Sequence, residues 1–148
     1  MSDHKAILAS VHLFVKDMSA SVTFYRHVGL SIPDNAVWSV QGKGHHAEIP
    51  MPNGLVLELD SVELTKGYDE QWQDPVGPSR NLIMFSLPSR PAVDTLHDEL
   101  TAMGYGSHLV PMDAFWGARY AVVYDPDGNL VGFMSPRSSD RQRQPPPL

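Results

Sequence analysis

Two kinds of residue in this 148-residue chain could do chemistry. The first is imidazole and carboxylate. His12 stands alone in an apolar run, His45, His46 and Glu48 fall together in Gly44-His45-His46-Ala47-Glu48, and Glu58 lies inside Leu55–Leu59. Residues two apart on a strand share a face, so His46 and Glu48 have a spacing that can chelate a cation. Adjacent histidines after a glycine turn are more often solvated edge residues, and chelation is the lesser reading here. His12 is either a core histidine, hydrogen-bonded in the interior, or a ligand contact. Glu58 has two candidate partners, His12 and Arg119. There is no cysteine, which removes disulfides, thiolate metal sites and cysteine nucleophiles. No local Ser-His-Asp pattern occurs, and Gly42-Lys43-Gly44 lacks the context of a phosphate-cradling loop.

The second kind is aromatic. Trp38, Trp72, Phe115, Trp116 and Tyr120 fall on short strands or loops. An indole stacks on flat conjugated molecules, and its N–H can donate one hydrogen bond. Trp116, beside Gly117, reads as a ligand platform, whereas Trp72 reads as an anchor for its own segment. The net charge is −6 with a pI near 5.5, and basic residues cluster only in Arg137–Arg143. Nucleic-acid affinity rests on clustered basic residues, so a nucleic-acid partner is not expected. The acidic balance, with Glu48 and Glu58 near the aromatics, favours a cationic or amine-bearing ligand. The N-terminus carries no long apolar segment, so no membrane span or signal peptide is expected, and the reading is a cytoplasmic protein.

These residues need a scaffold, and the chain supplies one twice. Met51-Pro52-Asn53-Gly54 and Asp125-Pro126-Asp127-Gly128 are both turns followed by apolar runs. Before the first turn come a strand at Ala6–Val15, a helix at Asp17–Val28 stopped by Gly29, and strands at Ala36–Gln41 and His45–Pro50. Leu55–Asp60 follows it. Around the second lie a strand at Asn81–Leu87, a helix at Pro91–Met103, and strands at Ser107–Pro111, Arg119–Tyr124 and Asn129–Met134. The reading is therefore an α+β fold of paired βαβββ modules, a curved mixed sheet around a cleft. Residues 1–62 form the first module, 63–79 a linker with at most a helical turn, 80–136 the second module, and 137–148 a disordered or surface-draped Pro-rich tail.

The order resembles the glyoxalase/bleomycin-resistance group, the vicinal oxygen chelate superfamily. The resemblance is carried by Val15-Lys16-Asp17-Met18, Ser21, Phe24-Tyr25, Gly54–Leu59, Trp116–Tyr120 and Asp125–Asn129. Within the group the chain looks closest to mitomycin-resistance-type drug-binding proteins, through Phe24-Tyr25-Arg26, Ile32-Pro33, Tyr68-Asp69, Trp72-Gln73, Gly104-Tyr105 and the Trp116–Asn129 run. The resemblance implies strand-exchanged homodimers. It also implies, for metal-dependent members, ligands at positions that fall here on Ser10, Glu58, Leu82 and Gly132. One credible ligand among four does not hold a divalent ion. The expectation is thus a homodimeric small-molecule-binding protein without cofactor that sequesters a planar or aromatic antibiotic-like ligand. Its expected ligand-binding residues are Trp38, Trp116, Phe115, Tyr120, His12, Glu58 and His46. The alternative is a metal-dependent glyoxalase-type lyase or dioxygenase with a divalent metal on His12 and Glu58.

Overall fold

A computed structural model describes residues 4–148. The chain falls into two compact units, with the boundary between Pro75 and Val76. In the first, β1 (Ser10–Val15) leads into α1 (Met18–Val28), then β2 (Val37–Val40), β3 (Lys43–Pro50), β4 (Val56–Ser61) and a short α2 (Val62–Tyr68). The second holds β5 (Leu82–Ser86), α3 (Arg90–Ala102), β6 (Ser107–Asp113), β7 (Arg119–Tyr124) and β8 (Leu130–Met134). Each unit has one mixed four-stranded sheet, ordered β1-β4-β3-β2 and β5-β8-β7-β6. In each, the first strand pairs parallel with the last, and the other pairings are antiparallel. The fold is α+β, with the βαβββ order expressed twice.

Local chemistry explains the helix ends. The Asp17 carboxylate accepts from the Ala20 N–H at 3.0 Å and opens α1. Gly29 closes it in the left-handed conformation, at φ 115°. Ser89 caps α3, with Pro91 in the first turn, where a missing N–H removes no helical hydrogen bond.

Alternation decides which sheet face is buried. Leu13, Val15, Ala47, Ile49, Leu57 and Leu59 point one way and are buried, as are Met18, Val22, Tyr25 and Val28 of α1. In the second unit Ala121, Val123, Val131 and Phe133 are buried, as are Val93, Leu96 and Leu100 of α3. Burying one such large side chain contributes roughly 1.5–3 kcal/mol. A one-residue slip of β4 would expose Leu57 and Leu59 and bury Glu58 and Asp60 in their place, so the register is strongly specified.

One segment differs from the sequence reading, and a second takes one of its two alternatives. Helix α2, seven residues from Val62 to Tyr68, begins directly at the end of β4 and takes in the start of the stretch read as a linker. Ser61 is both the last residue of β4 and the cap of α2, its hydroxyl accepting from the Leu64 N–H at 3.0 Å. Beyond it, the Trp72 ring meets Phe14 edge-on at 4.9 Å and donates to Asp74 at 3.0 Å, which anchors this stretch to β1. The 137–148 tail, read as disordered or draped, is tied down in its first half. Ser138 N–H donates to the Gly117 carbonyl at 3.0 Å, and Arg143 N–H to that of Phe115 at 2.8 Å. A backbone bridge pairs Trp116 with Gln142, and Ser139–Arg141 forms a 3-10 turn.

Gly117 makes that strap possible. Its φ is +92°, and a Cβ there would fall inside the contact distance of the Ser138 carbonyl oxygen. Gly117→Ala should therefore lower stability by about 2–4 kcal/mol, combining backbone strain with a clash against fixed backbone. Part of that loss should vanish when residues 137–148 are deleted. Chemical denaturation of both single variants and the double variant checks this; a loss of under about 0.5 kcal/mol for Gly117→Ala would contradict it.

Candidate functional site

The outward face of the first sheet gathers the polar residues. Pairing sets His12 beside Glu58 and Phe14 beside Asp60 across β1 and β4, and Glu48 beside Glu58 and His46 beside Asp60 across β3 and β4. The β3–β4 turn holds the second register. Met51 N–H donates to the Leu55 carbonyl at 2.8 Å, and the Asn53 side chain accepts from the Leu55 N–H at 3.1 Å. His12, His46 and Glu58, separated in the chain, therefore meet here.

The centre of the cluster is Asp60, which supported the family resemblance in the sequence but was not among the expected site residues. Its side chain is buried, and each oxygen serves one histidine: His12 Nδ1 at 2.8 Å and His46 Nδ1 at 2.7 Å. A carboxylate has no proton to give, so each Nδ1 donates, and each Nε2 is turned away from Asp60. His12 Nε2 lies 2.6 Å from Glu58 and 3.0 Å from Ser10 Oγ. His46 Nε2 lies 3.5 Å from Glu48 and 3.8 Å from Glu58. The signal for Asp60 was available: it follows Glu58 by two residues on one strand face. His45, in contrast, faces the interior and bonds Ser61 Oγ at 2.8 Å. Trp38 is a register partner of His46 on β2, more than half exposed, with its ring 5.9 Å from that of His45.

The second sheet offers a different surface. Ser86, Met134, Tyr120 and Met112 form one row across β5, β8, β7 and β6. The Trp116 ring contacts Phe115 at 5.1 Å and Tyr120 at 5.4 Å, both edge-on. Its N–H donates to Met134 Sδ at 3.2 Å, so the indole offers its face rather than its donor. Burial raises the Tyr120 phenol pKa above its ordinary value. Arg119 is held by Asp94 at 2.8 Å and Asp113 at 3.2 Å, which settles the Glu58 alternatives in favour of His12. The hydrogen bond that Arg119 donates to Asp94 is the chief cause of its raised pKa.

The metal positions implied by the family resemblance do not fit a metal. Ser10 is a hydroxyl bonded to His12, and Leu82 is apolar. Gly132 has no side chain, and a Cβ there would lie 3.1 Å from both the Met84 sulfur and its methyl, so a thioether fills the place of a ligand. No reaction step is assigned to a metal at those four positions.

Burial alone would lower the His46 pKa, but hydrogen bonds to Asp60 and Glu48 and the charges of Asp60 and Glu58 raise it above 6.5. A raised histidine pKa means that the folded state holds the proton more tightly than the unfolded chain. The resulting stability is fully present below pH 6.5, the ordinary histidine value, and is lost as pH rises through the folded value. In chelator-containing buffer, the stability gap between wild type and His46→Gln should shrink as pH is raised from about 6 to about 8. A gap that widens over that range would contradict the assignment.

Comparison with known proteins agrees with this architecture. The family model described as "Glyoxalase/Bleomycin resistance protein/Dioxygenase superfamily" matches residues 7–133. A glyoxalase/bleomycin resistance protein/dioxygenase family enzyme from Burkholderia phytofirmans PsJN superimposes with a TM-score of 0.73 at 20% identity, over 88% of this chain and 98% of that one. A glyoxalase-related enzyme from Fulvimarina pelagi gives 0.70 at 22%, over 90% and 94%. A glyoxalase/bleomycin resistance protein/dioxygenase from Nocardioides gives 0.68 at 22%, over 99% and 92%. No curated protein matches the sequence. With a family model spanning most of its length and a βαβββ order repeated in both units, the chain belongs to the glyoxalase/bleomycin resistance protein/dioxygenase superfamily.

Proposed function

We propose that this protein binds a flat aromatic small molecule and holds it without turnover, in the manner of the mitomycin-resistance-type proteins that its sequence resembles. The observation that carries the reading is the outward face of the second sheet. Where metal-dependent relatives are expected to carry ligands, this face has Leu82 and a Gly132 covered by Met84. Leu82 and Met84 are exposed, and the half-buried Trp116, Phe115 and Tyr120 lie along the neighbouring row. An apolar surface edged by aromatic rings favours stacking on a conjugated ligand, each such contact contributing about 0.5–1.5 kcal/mol beyond area burial. Exposed methionines adapt to ligand shape. The proposal includes a homodimer, on the strength of the family resemblance, and light scattering at micromolar concentration should return twice the chain mass.

The metal-dependent alternative is favoured by one observation, the histidine–carboxylate cluster of the first sheet.

Trp116→Ala tests the platform. Titration of mitomycin C, followed by calorimetry, should show affinity reduced by about 1–2 kcal/mol relative to wild type. Because the ring is only half-buried, stability should fall by no more than about 2 kcal/mol. Unchanged affinity per folded molecule, or absence of wild-type binding to any planar aromatic antibiotic, would overturn the proposal.

A further inference from the structure

The outward face of the first sheet carries a second, independent capability. Glu48 and Glu58 stand directly opposite each other on β3 and β4. Like charges in that position destabilise a sheet pair unless something positive lies between them. Asp60, two residues from Glu58 on the same face, adds a third carboxylate. The positive partner must come from His12, His46 or a cation.

The distances favour a cation. His46 Nε2 stands 3.5 Å from Glu48, at the long limit of a hydrogen bond, and 3.8 Å from Glu58, beyond it. Donor atoms about 2.1 Å from one tetrahedral ion lie roughly 3.4 Å from each other. One ligand atom each from His46, Glu48 and Glu58 falls within 4.8 Å of the others. His12 Nε2, 2.6 Å from Glu58, stands beside this trio. A divalent ion seated there would face both Glu58 and Glu48.

The support behind these donors is already built. A metal-ligating histidine usually gives its other ring N–H to a carboxylate, which fixes ring orientation and tautomer. Asp60 does this for both rings, one oxygen to each, from a side chain only 8% exposed. Glu48 is 66% exposed and His12 45%, so the donors are open to an ion arriving from solvent.

We propose that His46, Glu48 and Glu58, with His12 beside them and Asp60 holding both imidazoles, form a site for one divalent first-row transition cation. Imidazole with carboxylate suits zinc, cobalt or nickel better than calcium or magnesium. The site is not the one implied by the family resemblance. All its donors come from one four-stranded sheet, and only Glu58 is shared with the family positions. Nor does it depend on the aromatic ligand proposed above.

Cobalt titration of the full chain tests it, read by the visible ligand-field bands, with zinc measured by equilibrium dialysis. One equivalent should bind with micromolar or tighter affinity. Glu58→Gln and His46→Gln should each weaken binding at least tenfold, and Asp60→Asn by about 10–100-fold, because it only positions the rings. Trp116→Ala should leave cobalt binding unchanged, which separates this site from the aromatic surface. Histidine ring NMR of wild-type protein gives a reading that needs no variant: zinc should shift the His12 and His46 nitrogens. No saturable binding up to about 1 mM metal would overturn the proposal, since weaker binding is non-specific for such donors. Binding unaffected by Glu58→Gln, or shifts confined to other histidines, would do so equally.

Discussion

Side-chain alternation on β1, β3 and β4 is the constraint on which the first unit depends. Leu13, Ala47, Ile49, Leu57 and Leu59 occupy every second position and are buried on one face. Their burial leaves no choice for the residues between them. His12, His46, Glu48, Glu58 and Asp60 must share the other face, and the register that aligns the apolar rows also aligns the polar ones. Thus the polar cluster is positioned by hydrophobic packing on the opposite side of the same strands.

The second unit obeys the same topology with a different outcome. Its inner face again packs on a helix, through Val131, Phe133, Ala121 and Val123. Its outer face, however, carries Leu82, Met84, Leu130, Met134 and Tyr120 where the first sheet carries imidazoles and carboxylates. The two units share a backbone plan, and both need the same buried alternation. Their outward positions differ, because nothing in the core depends on them. One unit presents charge and the other aromatic and thioether surface.

The tail shows the reverse dependence, of a surface on backbone contacts far along the chain. Phe115–Gly117 carries the indole, yet its conformation is held by Ser138, Gln142 and Arg143. A polar, proline-rich composition suggests disorder because it offers little to bury. Backbone hydrogen bonds to a loop do not appear in composition, and here they hold the segment.

The sequence by itself determined the elements. Alternation, the Asp17 and Ser89 caps, Gly29 and the two Pro-Asx-Gly turns act within a few residues, so β-α-β-β-β was legible twice, and with it the family. It also determined that Trp116, Phe115 and Tyr120 would be near one another, since they lie within six positions. Only the tertiary structure decided that His12 meets Asp60, 48 residues away. That meeting requires β1 to pair parallel with β4, and parallel pairing has no connecting turn whose residues could announce it. For the same reason Glu58 could be assigned to His12 rather than Arg119 only once the strands were in place: choosing between partners far apart in the chain is a matter of strand order, which local residue preferences do not encode.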